Sequence, residues 1–179
     1  MPVFTIFDIL SPEKRQFYTG FYLGLVYLDR IPPHLIFILE GKIYSITTKG
    51  NQAGTPVEVL LKTISQKQIQ SLFFKINPKV LKMDQNSAKE SMDRIMQKYS
   101  GIKDDITCLS PLKDFFSANL SADFNQASVV FHLISELYKH KCILNVYQLF
   151  MESRILDNNI ELETYSIVDV RNRIKHLDQ

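Results

Sequence analysis

The sequence predicts an α+β fold in which a small antiparallel sheet packs against several helices, within a single domain covering residues 1–179. Three observations predict it. Two apolar runs, residues 35–39 and 43–47, flank Glu40-Gly41, a pair suited to a two-residue β-hairpin turn. A further aromatic-rich run, residues 70–76 (QSLFFKI), is cut off by Asn77-Pro78. Beyond residue 86 the apolar positions recur at helical spacing. Strands gathered early and helices gathered late suit an α+β arrangement better than alternating β/α units.

In chain order, Ser11-Pro12-Glu13 has the form of a helix start: a hydroxyl cap, proline in the first turn and an acid beside it. Phe17, Tyr18, Phe21, Tyr22 and Leu25 then predict one apolar helical face. Pro32-Pro33 stops that helix and passes the chain on in extended form. After the hairpin, residues 50–56 (GNQAGTP) read as a polar loop and residues 57–61 as a short strand or helix edge. Asn86 or Ser87 is expected to cap a helix carrying Met92, Ile95, Met96 and Tyr99 and ended by Gly101. Three more helices are expected at 106–120, 125–140 and 143–156. The last, residues 166–177, has Ser166 and Asp169 in capping-box positions.

Composition narrows the function classes. The chain is 45% hydrophobic and 11% aromatic, enough for a substantial core. Its 21 basic and 19 acidic residues leave a net charge of +2 with no clustered basic stripe, so nucleic acid is not expected as a partner. No apolar run approaches the roughly 18–20 residues that span a bilayer. The first residues lack the basic region and cleavage site of a signal peptide, so a cytoplasmic location is expected, with Cys108 and Cys142 as free thiols. No phosphate-binding glycine motif is present, and no cofactor is expected.

The residue that folding does not explain is His34, at the start of the first hairpin strand. With Glu40-Gly41 as the turn, Leu39 faces Lys42, Ile36 faces Ser45 and His34 faces Thr47. Alternation then puts His34, Ile36, Ser45 and Thr47 on one face of the sheet. An imidazole with hydroxyls beside it has a partner to fix its tautomer, as a catalytic base requires. The plainer reading is a histidine satisfied at a sheet edge. A nucleophile for it is offered by Cys108, where Thr107 would cap a helix whose positive end lowers a thiol pKa. Pro111 disfavours a helical Ser110, so Cys108 can instead lie on the turn leading into the helix. Cys142 is the rival: basic neighbours favour its thiolate, but within a continued helix it would be an inert core residue.

The order of a histidine strand (HLIFILEGKIYS), a Gly-Lys turn, a polar residue on the returning strand and a much later cysteine ahead of a helix resembles the circularly permuted papain-like cysteine enzymes. These include the NlpC-type peptidases, the lecithin:retinol-acyltransferase-like proteins and the desumoylating peptidases. The resemblance covers roughly residues 33–116. It implies Cys108 as nucleophile, His34 as base and Ser45 or Thr47 as the group that orients the ring. It implies a cysteine hydrolase or acyltransferase acting on an amide, thioester or ester of a peptide or acyl substrate. The chain departs from the pattern in having Leu35 and Ile36 where a small residue is usual, and Pro111 after the cysteine. The alternative is a catalytically inactive papain-like domain, or an unrelated α+β domain, serving as a protein-interaction module. His132 and His140 lie eight apart with no evident ligand set around them, so no metal is expected.

Overall fold

A computed structural model describes residues 2–177. The predicted hairpin is present: β4 (His34–Leu39) pairs with β5 (Lys42–Thr47) with Leu39 opposite Lys42 and Phe37 opposite Tyr44. Glu40 and Gly41 both have positive φ, the backbone of a two-residue primed turn that matches the twist of the strands. The turn is also tied from outside. Glu40 accepts a hydrogen bond from the Gly20 N–H through Oε1 at 2.9 Å, and its own N–H donates to the Gly20 carbonyl at 2.9 Å.

Around the hairpin lies a seven-stranded mixed sheet, larger than the small antiparallel one expected. In chain order the strands are β1 (Val3–Ile6), β2 (Ile9–Leu10), β3 (Phe21–Val26), β4, β5, β6 (Gly50–Pro56), β7 (Ser71–Ile76), β8 (Ile143–Leu149) and β9 (Ile160–Glu163). The sheet order is β2-β8-β7-β3-β4-β5-β6, antiparallel except for the β2–β8 pair. Strands β1 and β9 form a separate antiparallel pair. The helices are α1 (Val57–Lys67), α2 (Pro78–Leu81), α3 (Gln85–Met96), α4 (Ser110–Asn119), α5 (Val130–Lys139) and α6 (Ile167–Leu177).

Two expected helices are strands. Residues 21–26 form β3, with only a short 3-10 turn, Gln16–Tyr18, before it. Neighbouring residues here go to opposite cores: Phe21, Leu23 and Leu25 into one, Tyr22 and Val26 into the other. An apolar run buried on both faces carries no alternation, so its aromatics can equally be read as a helical face. Residues 143–149 form β8 for a related reason: pairing with β7 on one side and β2 on the other supplies backbone partners that no local signal announces. The expected loop at 50–56 is the exposed edge strand β6, and residues 57–61 open α1.

The remaining helices sit close to their expected places. Asp84, rather than Asn86 or Ser87, caps α3 by accepting from the Ser87 N–H at 2.7 Å. The capping box of α6 is formed: Ser166 donates its N–H to Asp169 Oδ2 at 2.7 Å, and the Asp169 N–H donates to Ser166 Oγ at 3.3 Å. Helix α1 covers one face of the sheet through Val57 and Ile64. The other face carries the larger core, to which α2 through α6 contribute. Within it Phe37 of β4 packs against Phe115 and Phe116 of α4, with ring centroids 5.2 and 5.7 Å apart. Such aromatic pairs add about 0.5–1.5 kcal/mol each beyond burial, enough to fix α4 over β4.

A Cβ built at Gly41, where φ is +71°, would stand 2.8 Å from the Tyr18 carbonyl oxygen. Gly41→Val is therefore expected to destabilise the protein by about 1–3 kcal/mol, through left-handed strain and this clash. Urea denaturation of the variant beside the unaltered protein measures it. An unchanged midpoint would mean that the turn does not have this conformation.

Candidate functional site

Helix α4 begins at Ser110, with Pro111 in its first turn, and Cys108 lies on the turn leading in. The Thr107 side chain accepts from the Leu109 N–H at 3.2 Å, and the Thr107 N–H donates to Ser110 Oγ at 3.0 Å. Cys108 is thus not the first helical residue that Thr107 was expected to cap. Its partly buried side chain packs against the larger core. Burial pushes its thiol pKa up, and the nearby backbone of Leu35, Cys108 and Leu109 only partly offsets this. Cys142 follows α5 and is fully buried. Desolvation raises its thiol to about 11, and its sulfur donates to the His140 carbonyl at 3.7 Å.

His34 is the first residue of β4 and lies opposite Val26, the last of β3. Its Nε2 is 2.9 Å from Ser45 Oγ, so Ser45 is the hydroxyl that holds the ring. Thr47, the other hydroxyl considered, is used within its own turn: Oγ1 donates to the Gly50 carbonyl at 3.3 Å and accepts from the Lys49 N–H at 3.2 Å. Desolvation lowers the His34 pKa to about 4, so the ring is neutral at pH 7.

His34 and Ser45 come together as the register implies, but Cys108 does not join them. Ile36 and Ile38, which alternate with His34 on the same face, belong to the smaller core under α1. Leu35, Phe37 and Cys108 belong to the larger core on the opposite face. Among the described residues no hydrogen bond links the His34 ring to the Cys108 sulfur. Burial disfavours the Cys108 thiolate, and the His34 ring is turned to Ser45.

What the two residues share is a cavity of about 180 Å³ at the end of β4. Its wall is mostly apolar and includes Leu35, Ile102, Val129 and Ile174 together with His34 and Cys108. Tyr165 also lines it, with a hydroxyl pKa raised by burial and by the nearby Cys108. Arg30 and Arg173, both exposed, reach it from outside. Neither arginine nor Tyr165 was singled out in the sequence. Arg30 comes from the β3–β4 connection and the other two from the last stretch of the chain, and no local pattern marks them.

A second group also went unnoticed. Asp123, Glu136 and His140 bring their potential ligand atoms within 4.8 Å of one another. The signal was present, since Glu136 stands four residues before His140 on α5. Lys139 occupies the same carboxylates, 3.2 Å from Glu136 Oε2 and 3.8 Å from Asp123 Oδ2, while the buried His140 Nε2 has no hydrogen-bond partner among the described residues. No helix among the described residues is long and apolar enough to cross a membrane. Comparison of the chain with protein-family models, with curated proteins and with solved structures gives no match.

The lowered His34 pKa predicts a pH dependence of stability. The unfolded imidazole titrates near 6.5 and the folded one near 4, so between those values the unfolded state binds the additional proton. His34 therefore contributes its full stability above about pH 6.5 and loses it as pH falls toward 4. Between pH 7 and pH 4.5 the unaltered protein is expected to lose about 2 kcal/mol more than His34→Gln, measured by urea unfolding. Equal losses would mean that the imidazole is solvated in the folded state.

Proposed function

We propose that this chain is a permuted papain-like α+β domain that binds a ligand in the cavity at the end of β4 without turning it over. The order of elements supports the fold reading: histidine strand, Glu40-Gly41 turn, returning strand with a polar residue, and a later cysteine ahead of a helix. One observation carries the reading of binding without turnover. The His34 ring is hydrogen-bonded to Ser45 on the face of β4 opposite the one that holds Cys108. Acyl transfer by cysteine needs a thiolate and a base within reach of it. Here burial keeps the thiol protonated, and the base is neutral but engaged elsewhere. A concave, mostly apolar cavity with a few polar groups at its mouth is what small-molecule and peptide sites have in common.

The second reading is a cysteine hydrolase or acyltransferase, with Cys108 as nucleophile, His34 as base and Ser45 or Thr47 orienting the ring. It is favoured by a single fact, that His34 and Cys108 line the same cavity. Catalysis would require the ring to leave Ser45 and cross the plane of the strand.

Iodoacetamide separates the two readings. Without turnover, Cys108 is expected to alkylate more slowly than a free thiol at pH 6 to 8, because burial disfavours the thiolate. His34→Ala is expected to leave that rate unchanged, and Cys142 to react only on unfolding. Rapid alkylation of Cys108 at pH 6, slowed by His34→Ala, would instead establish the enzyme reading.

A further inference from the structure

The cavity has a chemical bias that its apolar wall alone does not reveal. Its lining includes two arginines and no Asp or Glu, in a protein whose 21 basic and 19 acidic residues nearly balance. Neither arginine is spent elsewhere: among the described residues no salt bridge or side-chain hydrogen bond involves Arg30 or Arg173, whereas Arg171 on the same helix is paired with Asp105 at 3.0 Å. The Arg30 guanidinium lies over the Tyr27 ring, its Cζ 3.9 Å from the ring centroid, a contact that does not use its N–H groups on a carboxylate.

Backbone adds to the same sign. The segments that open α4 and α5 both border the cavity, through Cys108 and Leu109 and through Val129 and Val130. No side chain caps the start of α5, but the Val130 N–H is turned to the Tyr165 hydroxyl and the His132 and Leu133 N–H groups to the Val129 carbonyl, so what this wall adds is the positive end of the helix dipole. An empty apolar space below a positive mouth selects for a molecule with an apolar body and one anionic end. The volume sets its size, since a cavity of about 150 Å³ holds one benzene ring.

We infer that the cavity takes a small amphiphilic carboxylate with an apolar body of about six to eight carbons, its carboxylate met by Arg30 and Arg173. The body lies against Leu35, Val129 and Ile174. This rests on the proposal above that the cavity is a binding site, and it adds the class of ligand.

Titration calorimetry in low-salt buffer with octanoate, 1-octanol and octylammonium tests it. Octanoate is expected to bind tightest and to weaken with added salt. Arg30→Gln and Arg173→Gln are each expected to weaken octanoate about five-fold while leaving octanol unchanged. Both arginines are exposed, so these variants are expected to fold, and a thermal melt checks this. Val129→Trp, which fills the cavity, is expected to abolish binding of octanoate and octanol alike. Octanol binding as tightly as octanoate, or octylammonium binding more tightly, would overturn the carboxylate inference and leave the cavity as a site. Octanoate binding that survives in a folded Val129→Trp would overturn it by placing the ligand elsewhere. Binding of none of the three would overturn both the inference and the cavity reading.

Discussion

Successive side chains of β4 are sent to opposite faces of a sheet that is packed on both sides, and most of what can be said about this protein follows from that period. Leu35, Phe37 and Leu39 enter the larger core, while Ile36 and Ile38 enter the smaller one. Because both faces are filled, the register cannot slip by one residue without exchanging the two sets. His34 is therefore held on the α1 side, where Ser45 is its neighbour, and the helix bearing the cysteine is held on the other by Phe37, Phe115 and Phe116. The separation of His34 from Cys108 is a consequence of packing and not of a local rotamer.

The same packing builds the cavity. Helix α4 lies over the middle of β4, so the turn that precedes it, with Cys108, falls over the strand's beginning. Helix α5 starts beside it, and α6 closes the far side with Val170, Arg173 and Ile174. Two helix starts, the side of α6 and a strand end cannot interdigitate as completely as helix midpoints do, and the space between them stays open. Its depth is apolar because it is continuous with the core. Its rim is charged because the outer faces of α6 and of the β3–β4 connection meet water.

Electrostatics within the site point the same way. Desolvation lowers the His34 pKa and raises those of Cys108 and Tyr165. A catalytic dyad of cysteine and histidine works against such a shift by placing its two members together, so that each charge stabilises the other. With the pair divided between faces, that stabilisation is missing, and neutral forms prevail. Arg30 and Arg173 stand exposed at the mouth of the cavity.

The sequence by itself determined the elements that rest on local chemistry. The Glu40-Gly41 turn and the register it imposes, the neighbourhood of His34 and Ser45, the Ser166–Asp169 capping box and the course of α3 all depend on a few adjacent residues. Each was legible for that reason. Tertiary structure alone decided β3, whose apolar run has no alternation because both faces are buried, and β8, whose backbone partners lie far away in the chain. It also decided the site. A histidine and a cysteine in a suggestive order carry no information about which side of the sheet the later helix will take. That choice is made by α4 packing on Phe37, some eighty residues before it in the chain, and the same choice brings Arg30 and Arg173 to one cavity.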